Sequence, residues 1–293
     1  MNWKIPPDRH SGTPPPDSLR ARRQAAAELA GQRPLAPGTS VRDEAMGGVP
    51  CVVVRPAGTP RATMLYFHGG GYRLGAARSW AGFASALASA TGSEVVLPEY
   101  RLAPEHPFPA ALHDAAAVFD HLAEGRHPLL VAGDSAGGGL AAALVVAAIA
   151  SDRPVPHGVV VLSPWVDLTV TSETFASRAD SDQLFPLEAA EEAAEAYLGG
   201  TDPRDPLASP VYADLTGFPA TLVFAGGAET LLGDALRLTA RLAELGTSVE
   251  AHFPAAMAHT WPSLFPDLPE SAEAVAAIGR FVDQVTTADG PHR

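Results

Sequence analysis

The side chain best placed for covalent chemistry is Ser135, at the centre of Gly133-Asp134-Ser135-Ala136-Gly137. Apolar Leu129 to Ala132 ahead of it reads as a short buried strand, and Leu140 to Ala150 behind it as a helix. A strand-to-helix turn this tight forces its central residue into strained backbone, and the flanking glycines remove the side chains that would clash. The strain lifts the hydroxyl off the sheet. The N–H of Ala136, at the start of the helix, then points where an oxyanion would form. The chemistry on offer is attack by a serine oxygen on a carbonyl carbon.

A hydroxyl needs a base to take its proton, and the base needs an acid to fix its tautomer. In one known chain order for this chemistry the acid follows the serine and the histidine follows the acid, each on a loop after a strand. Only His252, His259 and His292 come late enough. His252 sits inside the strand-like VEAHF and His292 in a polar tail, so the base is assigned to His259, on a loop beyond a strand. Two acids are open. Glu229 ends the strand and loop ATLVFAGGAE, where its carboxylate would lie at the sheet's edge, whereas Asp234 falls into the following helix. Position favours Glu229. Asp134 flanks the serine but points away across the turn, which suits a structural role.

A second glycine-rich loop, His68-Gly69-Gly70-Gly71, follows the apolar run TMLYF. Consecutive glycines at a strand end free several N–H groups to turn one way, the geometry of further oxyanion donors. His68 is read as holding this loop.

Composition removes other mechanisms. Lys4 is the only lysine, so there is no Schiff-base lysine, Ser-Lys dyad or P-loop. Cys51, the only cysteine, lies in the strand-like PCVVV and reads as core; alone it excludes an intramolecular disulfide framework and fits a reducing compartment. Neither glycine run makes a good dinucleotide fingerprint, and no H-E-x-x-H occurs, so no cofactor and no metal are expected. A net charge of −13 opposes binding to nucleic acid or anionic membranes. The N-terminus is charged and proline-rich where a signal peptide would be apolar, and Leu140 to Ala150 is too short to span a bilayer. The expectation is a cytoplasmic protein without stable membrane insertion.

The elements that must position these residues follow from the pattern. Residues 1–17 are proline-rich and read as loosely packed, and Asp17-Ser18 caps a helix to about Ala30, closed by Gly31. Residues 39–55 are strand-like with a turn at Gly47-Gly48. Strand and helix then alternate: strands at 63–67, 94–98, 129–132, 159–162, 220–225 and 249–253; helices from Trp80 to Ala90, through Leu122, and at 140–150, 231–245 and 271–285. Such alternation predicts an α/β fold, a mostly parallel central sheet covered by helices on both faces. Residues 166–215 break the alternation and turn acidic, with a helix at 187–198, and read as an insertion over the C-terminal edge of the sheet.

Taken together, His68-Gly69-Gly70-Gly71, Tyr100-Arg101-Leu102-Ala103-Pro104-Glu105, Gly133-Asp134-Ser135-Ala136-Gly137-Gly138 and the His259 loop resemble the hormone-sensitive-lipase-type (bacterial family IV) esterases of the α/β-hydrolase fold. The resemblance spans about Tyr66 to Phe281. It implies an oxyanion hole from the N–H groups of Gly70, Gly71 and Ala136, with Glu105 supporting the turn near Ser135. It further implies a helical cap built from an N-terminal segment (1–45) and the 166–215 insertion, over a catalytic domain of 46–165 and 216–293. One departure stands out: the family usually carries Asp-x-Leu at the acid, and this chain has Glu229-Thr230-Leu231. Some members similarly use glutamate. The implied activity is a serine carboxylesterase with a Ser-His-Glu triad, acting through an acyl-enzyme on a small-molecule ester of short to medium chain length. An amidase or deacetylase would use the same triad, and a non-catalytic small-molecule binder is the alternative outside enzymes. Oligomeric state is not readable.

Overall fold

The computed structural model describes residues 3–8, 17–30 and 33–287; Gly31 and His292 lie outside them. Eight strands form one sheet: β1 (Ser40–Met46), β2 (Val49–Arg55), β3 (Ala62–Phe67), β4 (Ser93–Pro98), β5 (Leu129–Asp134), β6 (Gly158–Leu162), β7 (Thr221–Phe224) and β8 (Val249–His252). Their order is β1-β2-β4-β3-β5-β6-β7-β8. The β1–β2 and β2–β4 pairs are antiparallel and the rest parallel. The chain moves outward from β3 to β4 and then returns across β3 to β5. That reversal puts the C-terminal ends of β3 and β5 side by side, with Phe67 opposite Gly133. A crevice at such a switch point is where open α/β sheets bind ligands.

The period of two along each strand splits the core. Leu65 and Phe67 of β3 join one apolar cluster with the helices α3 (Ala110–Ala123), α4 (Ala136–Ala150) and α7 (Leu232–Glu244). Met64 and Tyr66 join the other, with α2 (Ala81–Thr91) and α9 (Pro269–Thr287). Each Val, Leu, Ile, Phe or Met side chain fully buried in these layers contributes about 1.5–3 kcal/mol, and each alanine less. Helix α4 is buried on all sides from Ala136 to Ala148, as its unbroken apolar composition requires of an interior helix.

Two expectations are corrected. The boundary at residue 45 falls inside β1, which pairs with β2 along its whole length, so the segment outside the sheet ends before Ser40. The sequence pattern of β1 is mostly polar because the strand is a solvent-facing edge. The proline-rich start is also not loose where described. Trp3 packs edge-on to Phe119 and donates its indole N–H to Asp120, while the Arg153 guanidinium lies 4.5 Å from its ring centre. Helix α1 (Asp17–Ala30) buries Leu19.

Residues 166–215 carry α5 (Thr174–Ser177) and α6 (Leu187–Leu198). Phe175, Phe185, Ala193 and Tyr197 from this stretch join the first core cluster. The Tyr197 ring stacks on Tyr72 of the glycine-rich loop at 3.7 Å. After β8 come α8 (Trp261–Leu264) and α9. No helix among the described residues is long and apolar enough to cross a membrane.

Candidate active site

Parallel register brings the loop after each strand to one edge. Asp134 pairs with Leu162, Leu162 with Phe224 and Phe224 with His252, so the loops after β5, β6, β7 and β8 leave the sheet together. Ser135 has φ 54° and ψ −122°, backbone that a non-glycine residue holds only at a cost of about 1–3 kcal/mol. Three hydrogen bonds oppose that strain. The Ser135 N–H donates to Leu162 O at 2.9 Å, and its carbonyl accepts from Trp165 at 3.0 Å and Gly139 at 3.1 Å. The glycines are steric necessities: a Cβ on Gly133 would lie 2.3 Å from Gly137 O, and one on Gly137 2.1 Å from Phe67 O.

The loops after β7 and β8, which carry Glu229 and His259, are strapped to each other. Gly227 N–H donates to Pro254 O, Ala228 N–H donates to Met257 O, and a Cβ on Gly226 would meet Met257 O at 2.1 Å. His259 Nε2 lies 3.0 Å from Ser135 Oγ. Its Nδ1 faces Glu229 Oε1 at 3.5 Å, and neither of these two buried atoms has another partner. Hydrogen bonds of this kind are often long without substrate and tighten in the reacting complex. Burial alone would lower the His259 pKa. The Glu229 carboxylate opposes it, aided by the charges of Asp182 and Asp134, and the net direction is up. Ser163, a residue the sequence did not single out, ties the pieces together. Its hydroxyl donates to Glu229 Oε2 at 2.7 Å and accepts the Thr260 N–H at 2.9 Å. The Gly226 N–H also donates to Glu229 Oε2, at 2.9 Å.

Asp234 is elsewhere. Its Oδ2 accepts the N–H groups of Val166 and Asp167, which fastens α7 to the start of the insertion, and it makes no bond to His259. Asp134 takes the structural place expected of it. Tyr66 donates its hydroxyl to Oδ1 at 2.8 Å, and the Gly69 N–H also bonds the carboxylate. Burial raises Asp134 to about 6.

The glycine-rich loop runs against the serine, since a Cβ on Gly69 would lie 3.2 Å from Ser135 Cβ. Gly70 has φ +120° and Gly71 φ +60°, and a Cβ on Gly70 would meet Leu74 O at 2.3 Å. Ala136 is the first residue of α4, where free N–H groups carry the positive end of the helix dipole. His68 is sandwiched between Tyr100 and Trp80, and its Nδ1 donates to Gly69 O at 2.7 Å. Burial lowers its pKa to about 4, so it stays neutral and holds the loop. Glu105 receives both Nη atoms of Arg23 from α1, at 2.6 and 3.0 Å. Arg23 also donates to Arg73 O and Ala103 O, binding α1 to the loops that carry Gly70 and Glu105. The ion pair of Glu105 is thus with the N-terminal helix, a partner the sequence did not suggest.

An α/β sheet with a serine on a strained turn after its fifth strand, a histidine within hydrogen-bonding reach and a buried carboxylate behind defines an α/β hydrolase. The alpha/beta hydrolase fold family model matches residues 64–263. An acetyl-hydrolase of Streptomyces hygroscopicus is 37% identical over 98% of this chain and 94% of its own length. An esterase of Acinetobacter venetianus is 31% identical, over 91% of this chain and 88% of its own. Among solved structures, an esterase from the bacterial hormone-sensitive lipase family superposes with a TM-score of 0.88 at 38% identity, covering 94% of each chain. EstE5, in crystals soaked with p-nitrophenyl butyrate, gives 0.87 at 34% identity, covering 97% of this chain and 95% of its own. The chain belongs to the α/β-hydrolase family, in its bacterial hormone-sensitive-lipase branch, and is an ester hydrolase.

Proposed function

We propose that the protein is a carboxylesterase for small esters of short to medium acyl chain, working through Ser135, His259 and Glu229. The observation that carries the reading is the 3.0 Å approach of His259 Nε2 to Ser135 Oγ, with Glu229 facing Nδ1. His259 takes the Ser135 proton as Oγ attacks the ester carbonyl, and Glu229 holds the imidazole in the tautomer whose Nε2 is free to accept it. Negative charge on the carbonyl oxygen falls to the N–H groups of Gly70, Gly71 and Ala136. The alkoxide leaves with the proton from His259. Water, deprotonated by His259, then cleaves the acyl-enzyme and restores Ser135.

Chain length is supported by two observations. Phe185 stacks parallel to the His259 ring at 5.9 Å and packs edge-on to Trp165 at 5.1 Å, making an apolar but crowded surface above the base. One relative is named an acetyl-hydrolase and one neighbour was soaked with a butyrate ester. The insertion 166–215 and the segment before Ser40 act as the cap. With Cys51 as its one cysteine the sequence has no intramolecular disulfide, which fits a reducing compartment such as the cytoplasm.

The test is hydrolysis of p-nitrophenyl esters from acetyl to palmitoyl. Turnover should fall as the chain lengthens, and Ser135→Ala should remove it by a factor on the order of 10⁶. Undiminished hydrolysis by that variant would overturn the assignment.

A further inference from the structure

Within residues 178–184, an exposed stretch in the first half of the 166–215 insertion, one side chain is buried: Asp182, 3% exposed. Its carboxylate is fully engaged. Oδ1 accepts the N–H groups of Leu184 and Phe185, at 2.9 and 3.2 Å, which folds its own loop into a turn. Oδ2 accepts the N–H and the hydroxyl of Thr230, at 2.8 and 3.0 Å. Thr230 is fully buried and is the residue after Glu229. The clasp is closed from the other side, because the Ser181 hydroxyl donates to Ala228 O at 2.7 Å and the Thr230 hydroxyl is also 2.9 Å from Phe185 O. The cap loop therefore grips the backbone on both sides of Glu229. It also sets Phe185 over the His259 ring, and the same Phe185 ring lies 3.9 Å from where a Gly71 Cβ would stand.

We propose that Asp182 is a positioning residue for the triad: its carboxylate holds Thr230, and through it Glu229, in line with His259, and adds a cap-borne negative charge to the field at the imidazole. This rests on the triad reading given above. Three carboxylates act on His259 from the elements packed against it: Glu229 from the loop after β7, Asp134 from the turn after β5, and Asp182 from the insertion. Each favours the imidazolium that forms when Ser135 attacks. Asp182 is the one that the cap brings, so seating of the cap and alignment of the acid are a single event. A side chain that only braced the fold would have no reason to alter the titration of the base.

The experiment uses the full chain and p-nitrophenyl butyrate, with kcat and KM measured across pH for wild type, Asp182→Asn, Thr230→Val and, as a charge control on the same loop, the exposed Asp180→Asn. An asparagine can accept from one pair of donors and not from both, and it is uncharged. Asp182→Asn should lower kcat about 10–100-fold with KM held, the scale of a small misplacement of reacting groups. The acidic limb of its kcat/KM profile should move to lower pH, since a negative charge has been taken from the imidazolium. Thr230→Val keeps the charge and loses the hydroxyl bond; its kcat should fall less, with the limb unmoved. Asp180→Asn should match wild type. An Asp182→Asn enzyme with unchanged kcat, or with lowered kcat and an unmoved limb, overturns the proposal. If that variant does not fold, Thr230→Val decides, and wild-type kcat there overturns it. Ser135→Ala is run alongside: turnover surviving in it sinks the triad reading and this proposal together, whereas loss there with an unaffected Asp182→Asn sinks only this one.

Discussion

Glu229 and Asp234 stand five residues apart, and neither is exposed to solvent. Each spends one carboxylate oxygen on two donors: Glu229 on the Ser163 hydroxyl and the Gly226 N–H, Asp234 on the N–H groups of Val166 and Asp167. The other oxygen separates them. For Glu229 it faces His259 Nδ1, a group that can carry the opposite charge. For Asp234 it has no hydrogen-bond partner. Burial, and then the like charge of Asp167, raises Asp234 to about 8, so it is held as the neutral acid through neutral pH. With equal burial and equal anchoring, what separates the two is the charge beside each: the His259 imidazole opposite Glu229, the like charge of Asp167 beside Asp234. A carboxylate that must stabilise an imidazolium has to meet it; one that must fasten a helix need not be charged at all.

The largest effect expected from breaking this contrast is at Glu229. Glu229→Gln keeps the shape and the Ser163 contact but can no longer select the His259 tautomer, and kcat should fall about 10⁴-fold. Its residual kcat/KM should also show an acidic limb at lower pH than wild type. The sign follows from the base: on the proposed mechanism catalysis needs neutral His259, the Glu229 carboxylate holds its pKa above that of an ordinary imidazole, and removal of that charge lowers it. Ser163→Ala comes next. It leaves the carboxylate charged but takes away one of its two anchors and the acceptor for the Thr260 N–H, so a kcat loss of about 10–100-fold at unchanged KM is expected from steady-state kinetics. If Ser163→Ala were as damaging as Glu229→Gln, the anchoring of the carboxylate would matter more than its charge.

Much of this site was legible in the sequence because backbone geometry wrote it there. The glycines around Ser135 and in 69–71 exist because a Cβ would strike a carbonyl, so a pattern of residue types alone reports the turn. His259 and Glu229 were singled out by elimination and by their places at strand ends, and the structure brings both to Ser135 in series, His259 at 3.0 Å from it and Glu229 at 3.5 Å from His259. Ser163, Asp182 and Arg23 were not found. Each acts across 48 to 97 residues of sequence, through contacts such as Thr230 N–H to Asp182, Arg23 to Glu105 and Thr260 N–H to Ser163, and no local period or spacing encodes such a pairing. Asp182 was hidden among acidic neighbours that are exposed, and its burial is a tertiary fact. Strand β1 was legible through the Gly47-Gly48 turn that joins it to β2, although its own pattern is polar because it is an edge.

The smallest expected effect, and the sharpest check on the contrast, is at Asp234. Because burial raises its pKa to about 8 from an ordinary 3.8, the unfolded chain ionises this group while the folded chain keeps its proton. The fold therefore gains least from Asp234 at high pH. Its contribution is full below 3.8 and declines as pH rises toward about 8. Asp234→Asn presents one oxygen to the Val166 and Asp167 N–H groups and puts an amide N–H₂ where the unpartnered Oδ1 stood, with the Asp167 charge nearby. The variant should keep wild-type kcat on p-nitrophenyl butyrate. Its thermal midpoint should gain on that of wild type as pH is raised from 4 to 8, because the asparagine has no proton to surrender. A loss of turnover on the Glu229→Gln scale would instead move the triad acid to Asp234. A midpoint difference that did not vary with pH would mean that Asp234 is charged in the folded protein, so that the neighbour opposite a buried carboxylate is not what sets its state here.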